Sequence, residues 1–164
     1  MKEYKQYFKD LFTQATQLFE SEITFGNENE EAEDYFSFEF NGVGFECLLL
    51  QNEGEQVILR TYVDAIKAGV FKDNMLEVYD IMNKFNLLEG GLFKLVAIEN
   101  EEAQYNTIAL KTVDVVVTKE LMENGDVRYY HLNLLADFLN YVNFHEVYQA
   151  AYYDQIEEYN EFEW

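Results

Sequence analysis

The chain has no proline among its 164 residues, one cysteine, two histidines, two arginines and two serines. Each scarcity excludes something. Without proline, prolyl isomerisation cannot slow folding. A single thiol, Cys47, cannot close an intrachain disulfide, which suits a reducing cytoplasm. Two scattered histidines, His131 and His145, cannot supply a zinc set with Cys47. Fourteen residues apart on one helix, they would lie several turns from each other and read as surface or half-buried side chains. Neither Ser21 nor Ser37 sits in a nucleophile-elbow pattern. The stretch Glu89-Gly90-Gly91-Leu92 lacks the spacing and the lysine of a phosphate loop.

Positive charge is the other shortage. Eleven Lys and Arg face 32 Asp and Glu, for a formal net charge of −21. Direct nucleic-acid binding needs Lys and Arg on phosphates, so it is disfavoured, as is an anionic membrane surface. A protein partner with a basic surface would be steered in, faster at low salt. The same charge also serves solubility. The N-terminus, 1–10, is charged and shows no secretory h-region. The aliphatic run Leu48–Leu50 is far short of the roughly 20 residues of a membrane span. A cytoplasmic, cofactor-free protein is expected.

What is present is a core. Apolar residues make up 49% of the chain and aromatics 17%, which a disordered chain would not carry. Residues 2–20 have Tyr4, Phe8, Leu11, Ala15, Leu18 and Phe19 at helical spacing. Residues 26–34 are polar and acidic. Phe36, Phe38 and Phe40 then alternate with Ser37 and Glu39, as in a strand. Asn41-Gly42 is a hairpin signal. The return strand falls near 45–50, and a third strand is expected at 56–63 after a turn around Gly54. Residues 73–88 read as a helix, with Asp73 as its N-cap and Met75, Leu76, Tyr79, Met82 and Phe85 on one face. Gly90-Gly91 ends it. Strands are expected at 92–98 and 106–117. Asn124-Gly125 favours a hairpin extending the sheet through Arg128–Tyr130, over a short helix at 119–122. A last helix is expected at 132–153, with Leu135, Leu139, Tyr141 and Val142 inward. The class is α+β: helix, three-stranded antiparallel meander, helix, two or more strands and a long C-terminal helix. It forms one domain over 1–153, followed by an acidic aromatic tail over 154–164.

Chemistry is sparse. Asn27, Asn29, Glu31 and Glu33 imitate the start of a calcium loop. Ala32 stands where that loop needs Gly, and Phe38 where it needs a bidentate Glu. A frame from Asn100 fails likewise at Tyr105 and Lys111. Cys47 alternates with Phe45 and Leu49, so it points inward, where thiols are inert. No carboxylate pair is marked for acid–base work. A non-enzyme is expected. Binding residues are sought in the acidic stretch (Glu28, Glu30, Glu31, Glu33 and Asp34) and in the tail aromatics Tyr159, Phe162 and Trp164, which either dock on the domain or anchor a partner.

The element order, with Met82-Asn83-Lys84-Phe85-Asn86 leading to Gly90–Ile98, resembles YbjN-like domains and the fold of type III secretion chaperones over about residues 1–150. YbjN-like domains similarly end their middle helix in an Asn-bearing turn. The hairpin expected at 118–130 and the tail depart from that pattern. The resemblance implies a small acidic protein that binds other proteins, often as a homodimer, without a cofactor. It implies no residue-level site. Two functions are compatible with these features. One is a chaperone- or adaptor-like protein-binding module. The other is a phage- or plasmid-type inhibitor that imitates DNA and occupies a basic site on a nucleic-acid enzyme.

Overall fold

The computed structural model describes residues 1–27, 32–88, 93–112, 114–144, 155, 156 and 159. It is α+β. Helix α1 spans Lys2–Gln17, and β1 (Ile23–Phe25), β2 (Tyr35–Phe40), β3 (Val43–Gln51) and β4 (Val57–Phe71) come next. A 3-10 turn over Lys72–Asn74 leads into α2 (Met75–Leu88). Then come β5 (Phe93–Ile98), β6 (Tyr105–Thr112), β7 (Val115–Val117), α3 (Lys119–Glu123) and α4 (Gly125–Phe144). All strands pair antiparallel in one sheet, in the order β1-β2-β3-β4-β6-β5, with β7 beside β4.

The β2–β3 hairpin forms as its sequence dictates. Asn41 and Gly42 take φ of 52° and 78°, the paired left-handed conformations of a type I′ turn. Phe36, Phe38 and Phe40 are buried on one sheet face. Phe38 stacks on Phe45 at 4.7 Å and meets Phe12 of α1 at 4.5 Å, and Phe45 meets Phe138 of α4 at 5.4 Å edge-on. α2 packs beside them through Met75, Val78, Met82 and Phe85, which are buried together with Leu95. The core therefore lies between one sheet face and three helices.

Several expectations need correction. The strand expected at 56–63 runs on to Phe71, with a register shift against β6 between Val63 and Lys67. The strand expected at 106–117 is divided into β6, ending at Thr112, and β7, starting at Val115. Between them Asp114 turns to Arg60, which grips both carboxylate oxygens at 3.0 and 2.7 Å. β7 then resumes along β4.

The hairpin expected at 118–130 is absent. Thr118 caps α3 by accepting from the Leu121 N–H. Asn124, at φ −84°, accepts from the N–H groups of Asp126 and Val127. Asn-Gly here is a helix start, because the asparagine oxygen satisfies the orphan N–H groups of the first turn. The last helix thus begins at Gly125 rather than Leu132. Leu18 lies past the end of α1 and is 62% exposed, while Phe12 and Tyr7 fill the helix's inner face. Asp73 lies inside the 3-10 turn, and α2 starts two residues later at Met75, so Asp73 is not its N-cap residue. A three-residue strand, β1, was not foreseen.

Gly90-Gly91, Tyr141, Val142 and His145 fall where side chains or backbone lie outside the described residues. Ile156 belongs to the core at 0% exposure, and Tyr159 packs against that core. Among the described residues no helix is long and apolar enough to cross a membrane.

Candidate functional site

Helix α2 carries apolar residues on nearly every side, so its period is ambiguous in sequence. The structure resolves it. Met75, Val78, Met82 and Phe85 face the sheet, while Leu76 and Tyr79, expected inside, face outward with 81% and 39% exposure. Leu87 is 84% exposed. It lies eleven residues beyond Leu76, which is three helical turns, so both leucines stand in one stripe. Two leucines so exposed and so aligned make this side of α2 the candidate site.

Beside the stripe is an open groove of about 530 Å³ lined by Leu76, Glu77, Asp80, Ile81, Gln155 and Tyr159. Its charged lining is acidic. Asp80 pairs with Lys84 at 2.6 Å, an exposed i,i+4 pair, which adds little stability. The groove has an apolar floor and two carboxylates on its helix side. It can receive an apolar side chain flanked by cations.

The residues expected to bind divide. Tyr159 lines the groove. Glu33 and Asp34 are exposed in the turn ahead of β2, and the Asp34 carbonyl accepts from the Leu49 N–H at 2.8 Å; neither lines the groove. Glu28, Glu30, Glu31, Phe162 and Trp164 lie outside the described residues. Leu76 and Leu87 were missed as surface residues. The signal was their eleven-residue spacing opposite Val78 and Phe85.

A second cluster joins α1 to α4. His131, expected at or near the surface, is 4% exposed. Its Nδ1 lies 3.0 Å from the Tyr7 hydroxyl, and Arg128 sits 5.2 Å over the Tyr7 ring. Burial lowers the histidine's pKa and raises the tyrosine's, the latter opposed by Arg128. Both groups are thereby held neutral, which suits a packed contact. Cys47 is buried, as its alternation predicts, 3.5 Å from the Thr61 hydroxyl. Among the described residues no group of three or more His, Cys, Asp or Glu could hold a metal ion.

No protein-family model matches the chain, and no curated protein matches it in sequence. A crystal structure of YbjN from E. coli, a protein proposed to regulate transcription, superposes with a TM-score of 0.37 at 9% identity. The match covers 78% of this chain and 88% of that one. No residue-to-residue correspondence follows at that level.

Proposed function

We propose that this chain is a non-enzymatic protein-binding module, adaptor- or chaperone-like, which docks a basic amphipathic segment of another protein along the outer face of α2. The alignment of Leu76 and Leu87 beside an acid-lined groove carries the reading. Leucines at this exposure reward a partner's apolar side chains. Glu77, Asp80 and the net charge of −21 favour cations around them.

The test uses two labelled helical peptides of equal positive charge, one amphipathic with leucines and one with none, followed by fluorescence anisotropy. Full burial of a leucine contributes about 1.5–3 kcal/mol. The double variant Leu76→Ser, Leu87→Ser should therefore weaken the amphipathic peptide by roughly tenfold or more, since 1.4 kcal/mol is a factor of ten. Binding of the leucine-free peptide should not change. Equal binding of the amphipathic peptide by wild type and variant would defeat the proposal. It would favour the DNA-imitating inhibitor, for which charge and salt alone decide.

A further inference from the structure

The three long helices pack on one face of the sheet. The opposite face presents Leu48, Leu50, Ile58, Tyr62 and Val116, none of which joins the core, and Val116 is 43% exposed. An antiparallel sheet can leave one face to water, but an aliphatic set of this size is also suited to a second layer packed on it.

Charge is what distinguishes this face. Among its described side chains, Glu39, Glu46 and Asp114 are set against Arg60, Lys94 and Lys111, so 3 − 3 gives 0 in a chain of −21. Arg60 and Lys111 both hold Asp114, at 2.7 and 3.3 Å. Lys94, next in the row, turns its ammonium to the Asn86 carbonyl at 2.8 Å. Two copies repelling each other elsewhere meet least resistance here.

The cross-strand register adds direction. Ser37, Glu46, Tyr62, Lys111 and Lys94 are paired in turn across β2, β3, β4, β6 and β5. Glu46 and Lys111 thus stand one strand to either side of Tyr62, about 4.8 Å each way. A two-fold axis running along β4 would bring Glu46 of one copy over Lys111 of the other, twice, with the two Tyr62 rings at the centre. An axis across the strands would instead set Glu46 over Glu46. Sheets facing each other lie about 10 Å apart with strands within roughly 30°, a gap these side chains span.

We infer that this sheet face is the contact surface of a two-fold homodimer, with Glu46 and Lys111 paired between copies around Tyr62. It stands on the sheet alone and is independent of the docking face on α2.

Sedimentation velocity on the full chain, from micromolar to submillimolar concentration, tests it. Wild type should be dimeric. Val116→Lys, an exposed change, should raise the dimer dissociation constant tenfold or more. Glu46→Lys should also weaken the dimer, and adding Lys111→Glu should restore it. Because Lys111 also touches Asp114, melting curves accompany each variant, and Val116→Lys decides if the charge variants unfold. A monomeric wild type would overturn the inference. So would a dimer indifferent to Val116→Lys, or one abolished by Leu76→Ser with Leu87→Ser instead.

Discussion

Replacing His131 with glutamine should remove a definite part of the protein's acid sensitivity. Neutral His131 is buried against Tyr7 and Phe8, its Nδ1 3.0 Å from the Tyr7 hydroxyl. Burial pushes its pKa below the ordinary 6.5. The unfolded chain then binds a proton here that the folded chain resists. Stability from this site is complete above about pH 6.5 and is lost as pH falls towards the lowered folded value. With an unfolded pKa of about 6.5, the loss between pH 7.5 and 5.5 has a ceiling of about 1.3 kcal/mol. The carboxylates push the opposite way over this range, since protonation relieves their mutual repulsion, but they are shared by both proteins. Urea denaturation of wild type and His131→Gln at both pH values isolates the histidine. Wild type should lose up to about 1.3 kcal/mol more than the variant on acidification. Superimposable pH profiles would refute the reasoning, since a histidine that charges freely in the fold is not the buried one described.

Two further outcomes are expected. Asn124→Ala removes the acceptor for the Asp126 and Val127 N–H groups and should cost about 1 kcal/mol, or roughly 2–4 °C in Tm, while Asn124→Ser largely keeps the cap; equal melting of all three proteins would contradict the capping role. Asn86 accepts from the Leu95 N–H at 2.8 Å and donates to the Leu95 carbonyl at 3.0 Å, so Asn86→Asp keeps the first bond and sets a carboxylate against the carbonyl. That should destabilise by about 1–3 kcal/mol and speed amide exchange at Leu95, with unchanged exchange counting against it.

Most of the fold was legible in the sequence where a local pattern had only one outlet. Phe36-Ser37-Phe38-Glu39-Phe40 with Asn41-Gly42 directly after it can hardly be other than a strand and a tight turn. The same dipeptide at Asn124-Gly125 misled, because its meaning depends on the residues C-terminal to it. Val127 and the apolar residues beyond it continue a helical period, and the asparagine oxygen then serves N–H groups of its own first turn instead of a left-handed turn. The break ahead of β7 was hidden because Asp114 there is held by Arg60, 54 residues away. Leu76 was misplaced because α2 offers two apolar faces, and only the position of Leu95 selects between them. The acidic stretch drew attention by charge alone, whereas the candidate groove needs α2 and Tyr159 brought together by tertiary structure.

The contact between Tyr7 and His131 spans 124 residues of chain. α1 is made well before α4, yet the two pack on each other and share one face of the sheet. At about 5–20 residues per second, synthesis leaves α1 without its partner helix for on the order of ten seconds. During that time Phe8, Leu11 and Phe12 belong to a nascent chain that cannot complete its core, and closing so long a loop is also slow. The fold therefore commits late, and a chain cut short before α4 is left with α1 apolar and uncovered, the kind of species that holdase chaperones capture and proteases clear.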